Sequence, residues 1–128
     1  MTKKAELQNL KDKEKRISRI KDSKNFILAN KLSGLLNNYK WYQVFELIEN
    51  NHLEFYYKIL LDSKVIKSKQ LLELEKSSFI SDSSTGFIEF LEVDFITFNS
   101  SFEVMYELTE LNIQFTVSID KIIINGYR

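Results

Sequence analysis

The chain has no cysteine, no proline, three glycines and one histidine in 128 residues. Each shortage closes a class of function. Without Cys there is no disulfide framework, thiolate metal site or cysteine nucleophile. A single His excludes a multi-histidine metal cluster. With so little Gly and no Pro there is neither a Gly-rich phosphate loop nor a Pro-rich linker. No apolar run approaches the ~18 residues that span a bilayer, and nothing at Met1 reads as a signal peptide. A cytoplasmic protein with no membrane contact is therefore expected. No cofactor and no metal are expected either.

Net charge is also lacking, because 18 Lys+Arg balance 18 Asp+Glu. The balance hides a split. Residues 1–25 hold nine bases and four acids, a net +5, which leaves −5 for the other 103 residues. Two surfaces with different partners, or an arm folded back on an acidic body, would each produce this pattern. What is plentiful is apolar and aromatic: 44% hydrophobic residues, with 10 Phe, 6 Tyr and 1 Trp. At this length that is enough for one domain with a core.

Residues 3–22 carry a thin helical stripe, Leu7, Leu10, Ile17 and Ile20. Asp22-Ser23 suggests a break, with Ser23 capping a greasier second helix that holds Phe26, Ile27, Leu28, Leu32, Leu35 and Leu36. A third helix follows Asn37-Asn38, with Trp41, Val44, Phe45, Leu47 and Ile48 on one side. From Leu53 to Leu61 the period drops to two, as in a strand, and Val65–Ser68 reads as a short return. Residues 70–76 fit a helix or an edge strand. Ser77-Ser78 and 81–86 form a polar loop. The longest strand is expected over Phe87–Phe98. Ser100 and Glu103 read as a capping box for a helix through Leu111 whose outer face carries Glu103, Glu107 and Glu110. Strands from Ile113 to Ile119 and from Ile122 to Asn125 close the chain. This order predicts an α+β fold: an antiparallel-rich sheet of about five strands with helices mainly on one face. A basic helical arm (1–25) precedes the domain (26–128).

No catalytic constellation stands out, and the chain is not expected to be an enzyme. Glu92 and Asp94, two apart on one expected strand, would project from the same face, with Glu89 on the other. Paired carboxylates can hold a hard cation or act as acid and base; an acidic surface that meets a basic partner suits the charge split better. His52, just past a helix end, could act as a base with Glu54, but it reads more simply as a cap. Ser77, Ser78, Ser83 and Ser84 lack a nucleophile-elbow context. Tyr39, Tyr42, Tyr56 and Tyr127 fall off the apolar faces, as interface anchors do.

Three stretches, Asn38-Tyr39-Lys40-Trp41, Ile88-Glu89-Phe90-Leu91-Glu92-Val93 and the ending Ile124-Asn125-Gly126-Tyr127 after Asn112-Ile113-Gln114-Phe115, together resemble an uncharacterised, DUF6678-like family of small bacterial domains. The family looks like Thr-Lys-Trp, Ile-Glu-Trp-Leu and Ile-x-Gly-Tyr at the three main sites. This chain has Tyr39 for Thr, Phe90 for Trp and Gln114 where Pro is common, and no Trp-Asp-Gly around residues 70–80. The resemblance covers about residues 37–128. It implies a place near toxin and immunity genes and carries over no catalytic residues.

The leading expectation is therefore an immunity or antitoxin-type protein that occludes a cognate toxin domain. Tyr39, Trp41, Glu89, Glu92, Asp94 and Tyr127 are its first candidate binding residues. The alternative is a nucleic-acid-associated protein using Lys11, Lys13, Lys15, Arg16 and Arg19 on the arm. Against it, no aromatic residue for base stacking occurs before Phe26. The Leu/Ile stripe would also allow two copies to pair as a homodimer.

Overall fold

The computed structural model describes residues 3–68, 71–75, 79–82 and 86–128. The expected loop residues Ser77, Ser78, Ser83 and Ser84 lie outside that set. The elements in order are α1 (Lys3–Ala29), α2 (Asn38–Asn50), β1 (Phe55–Ile59), β2 (Ile66–Lys67), β3 (Leu71–Glu75), β4 (Phe79–Asp82) and β5 (Gly86–Glu89). A one-turn 3-10 helix (Phe90–Glu92), β6 (Val93–Asn99), α3 (Phe102–Glu110), β7 (Thr116–Ser118) and β8 (Lys121–Asn125) follow.

Five strands form an antiparallel sheet in the order β2-β1-β6-β8-β7, and β3-β4-β5 form a second, smaller one. The α+β expectation holds, with that second sheet as an addition. Ser81 and Asp82, expected in a loop, lie in β4 and pair with β5. Period-two burial selects one face of the large sheet. Phe55 and Tyr57 on β1 stand opposite Phe98 and Ile96 on β6, which stand opposite Ile122 and Ile124 on β8. All six are buried against α2 and α3 in a single core. Phe45 of α2 is the hub, with ring centroids 5.8 Å from Trp41, 5.8 Å from Phe55 and 5.7 Å from Phe90.

The expected long strand is broken in two. Ile88 and Phe90 are buried at even positions, then Val93 at an odd one, then Ile96 and Phe98. The 3-10 turn absorbs the first phase change and carries the chain from the small sheet into the large one. A β-bulge at Asp94 absorbs the second, since Ile59 pairs with Val93 while Lys58 pairs with Phe95. Losing either shift alone would turn the buried residues on its two sides to opposite faces.

The N-terminal expectation also changes. α1 runs unbroken through Asp22-Ser23, and Ser23, far from capping a new helix, is buried at 1% exposure. The helix contains neither Gly nor Pro and is rich in Lys, a good helix former, so no strong breaker ends it early. Arg16, Arg19, Ile20, Ser23 and Ile27, the least exposed of its residues whose burial is described, follow the helical period on the side turned to the body. The greasy second helix does not form: Leu28 is 77% exposed and α1 stops at Ala29.

Each of the three helices stops in the same way. Lys31 (φ 53°), His52 (φ 51°) and Asn112 (φ 57°) are left-handed. The next N–H in each case reaches back to a carbonyl of the last turn: Leu32 to Ile27, Leu53 to Ile48 and Ile113 to Leu108, all at 3.0 Å. This is the Schellman arrangement, usually made with Gly. His52 is thus a helix-ending residue, as its simpler reading held. For α3 the N-cap is Ser101, whose hydroxyl accepts from Val104 N–H at 3.2 Å, one residue later than expected.

Candidate functional site

The residues chosen from sequence as binding anchors turn out mostly to hold the fold. Trp41 is 2% exposed, and a Cβ on Gly126 would lie 2.9 Å from its ring and 2.5 Å from the Val93 carbonyl. Only glycine fits there. Gly126 N–H donates to Asp94 O at 2.7 Å, and Tyr127 Oη donates to Leu91 O at 2.6 Å. The tail also pairs with residues 33–35: Ser33 and Arg128 exchange backbone hydrogen bonds at 3.0 and 3.1 Å, and Leu35 N–H donates to Gly126 O. Residues from 38–41, 88–93 and 124–127 therefore meet in space, as a clasp that ties 124–128 to α2 and β6. Burial pushes the Tyr127 phenol above its ordinary range, and the nearby Asp94 charge adds to this.

Glu92 and Asp94 do not share a solvated face, because the 3-10 turn and the bulge separate them. Glu92 is 0% exposed. Its carboxylate takes Arg19 Nε at 2.5 Å and Nη2 at 3.2 Å, and also the Glu89 N–H at 2.8 Å. Such a forked pair compensates a charge that would be costly to bury alone. Asp94 instead pairs with Lys58 at 3.0 Å, both partly exposed. His52 is exposed just past the end of α2, and Glu54 faces Lys67 at 3.6 Å. Glu89 is half-buried. Of the six anchors Tyr39 alone is largely exposed, at 53%. Among the described residues no group of three or more His, Cys, Asp or Glu is placed to hold a metal.

Two other surfaces carry unspent chemistry. The first lies along α1, where Arg19 Nη2 also donates to Phe87 O and the Arg16 guanidinium sits 5.1 Å from the centroid of the Phe87 ring. Between helix and β5 runs a groove of about 530 Å³ lined by Asp12, Lys13, Lys15, Arg16, Arg19, Gly86 and Phe87. Lys11 is exposed farther along the helix.

The second surface lies at the opposite pole of charge. On α3, Phe102 and Tyr106 are 88% and 67% exposed, four residues apart and so one above the other. Glu103, Glu107 and Glu110 flank them, and none of the three makes an ion pair among the described residues. Ser100 N–H donates to Asp120 O at 2.8 Å, which brings the start of α3 beside the β7–β8 turn. At the tip of that turn Ile119 is 97% exposed and left-handed at φ 58°. A β-branched residue pays a conformational cost of roughly 1–2 kcal/mol there. Sequence reasoning missed this face. It placed Ile119 at the end of an alternating strand and left Phe102 and Tyr106 unassigned, although their spacing among the outward glutamates was the available signal.

No helix among the described residues is long and apolar enough to cross a membrane. No family model, curated protein or solved structure matches the chain.

Proposed function

We propose that this chain is a small cytoplasmic binding protein of the immunity or antitoxin type, which acts by covering the working surface of a basic toxin domain rather than by catalysis. The observation that carries the reading is the α3 face. Phe102, Tyr106 and Ile119 offer solvent-exposed apolar area at 88%, 67% and 97%, bordered by Glu103, Glu107, Glu110 and Asp120. Burying such area in a complex is favourable at about 25 cal/mol per Å² before association costs. Aromatic anchors inside a charged rim are how few residues come to dominate affinity. The acids would steer a basic partner in and match its charge.

Two features of α3 support the same direction. Glu103 and Glu107 repel at one-turn spacing, and Glu110 occupies a last turn that has no base. Both cost the free helix stability, and a basic partner would relieve both. The narrower immunity role rests on the resemblance over residues 37–128.

The test is co-expression with the product of the adjacent gene, read by co-purification and by survival of the host. A complex that rescues growth is expected, and replacing Phe102 and Tyr106 together with Ala should weaken it by at least about 2 kcal/mol, roughly 30-fold. A wild-type chain that neither binds nor protects, or a double variant that binds as well as wild type, overturns the reading.

A further inference from the structure

We propose that the groove between α1 and β5 binds single-stranded nucleic acid, with phosphates held by Lys13, Lys15 and Arg16 and a base stacked on Phe87. Read along the chain, the arm has charge without a stacking platform. Folding supplies the missing ring from 60 residues or more away: Phe87 lines the groove opposite the helix and remains 41% exposed. Phe79 buttresses that ring edge-on at 5.2 Å between centroids.

The positive side is equally well placed. Arg19 is committed to Glu92 and to the Phe87 carbonyl, so it fixes the helix over β5 and its charge is already matched. That leaves Lys13, Lys15 and Arg16 against one carboxylate in the groove, Asp12, which accepts from Gln8 at 3.0 Å. The excess is positive. Arg16, already against the Phe87 ring, is positioned to meet a phosphate while the ring meets the base, a pairing that single-strand binders use repeatedly.

Size and geometry select the form of nucleic acid. A cleft of about 530 Å³ takes a nucleotide unit or a little more, within the ~300–1,000 Å³ range of ligand pockets. In a duplex the base faces are stacked against one another and cannot reach Phe87; in a single strand they are free.

The experiment is fluorescence anisotropy of the full chain with labelled oligo(dT) and oligo(rU), each roughly ten nucleotides long, across a salt series. Three free charges predict that log affinity falls against log salt with a slope near −2, about 0.7 per phosphate neutralised. Binding of either strand supports the proposal, and the tighter of the two identifies the polymer. Phe87→Ala should weaken binding roughly 5- to 150-fold, the range for losing one stacked base. Lys13→Gln with Lys15→Gln, on exposed positions where folding is not at stake, should cut the slope to about −0.7. A duplex of the same length and polyglutamate of matched charge should compete at least tenfold less well. The proposal is overturned if neither oligonucleotide binds at low salt, if Phe87→Ala binds as tightly as wild type, or if duplex or polyglutamate displaces the strand equally.

Discussion

Two helices of this molecule, α1 and α3, carry opposite charge and keep it in different ways. Along α1 the bases are used twice. Arg19 is consumed inside the protein, where it holds the 0%-exposed Glu92, while Lys13, Lys15 and Arg16 remain at the rim of a groove. On α3 none of Glu103, Glu107 or Glu110 is consumed by an ion pair among the described residues, and the apolar residues beside them are as open as Phe102 and Ile119. On the proposed reading, one region joins attachment to recognition and the other offers recognition alone. A mutation of Arg19 should therefore disturb fold and binding together, whereas one on the exposed face of α3 should separate them.

The largest test of that contrast is Arg19→Ala. It strands the Glu92 carboxylate in the core and should cost about 3 kcal/mol or more of unfolding free energy, measured by urea titration. Far smaller losses are expected for Phe102→Ala and Tyr106→Ala, whose exposed side chains should keep stability within about 0.5 kcal/mol of wild type. If Arg19→Ala unfolds no more easily than those variants, the asymmetry between the two regions is gone.

Tyr127→Phe probes the clasp that lies outside both surfaces. Loss of the hydrogen bond to Leu91 O should cost about 1 kcal/mol at neutral pH. Its phenol titrates higher when folded than when unfolded, so its contribution is fully present below about pH 10, the unfolded value. That contribution is lost as pH rises through the folded value. The stability gap between Tyr127→Phe and wild type should therefore close at alkaline pH; a gap that stays constant to the most alkaline pH at which the protein remains folded would place Tyr127 elsewhere in the energetics.

The smallest shift, and the sharpest for function, is expected at the hairpin tip. Ile119→Gly relieves a left-handed β-branched residue and should raise stability by about 1 kcal/mol or less, since glycine also loosens the unfolded chain. At the same time it removes apolar area beside the α3 face and should weaken the complex proposed for that face. A variant that gains stability and keeps full affinity would show that Ile119 is idle.

Much of the fold was legible from period alone. The α2 face from Trp41 to Ile48, the alternation of β1 and the α+β order each follow from spacing that local chemistry enforces. What escaped is non-local or a matter of phase. Ser23 looked like a cap because serine usually is one, and only the body behind it makes it a buried packing residue. The 3-10 turn at Phe90–Glu92 shifts the apolar register without any Gly or Pro to announce it. Arg19 and Glu92 are 73 positions apart, so no window on the chain could show that the arm's base and the strand's acid neutralise each other. For the same reason Trp41 and Tyr127 look like surface chemistry one at a time, and their place in a clasp closed by Gly126 shows only when the three are brought together.

The three helix ends hold a reserve of stability. Lys31, His52 and Asn112 occupy a conformation that glycine adopts without strain, in a protein with only three glycines. Each joint is a place where drift toward glycine would strengthen the scaffold without touching either charged surface. Glycine at these joints would thus add a margin of stability against which costly changes on the two exposed faces could be borne.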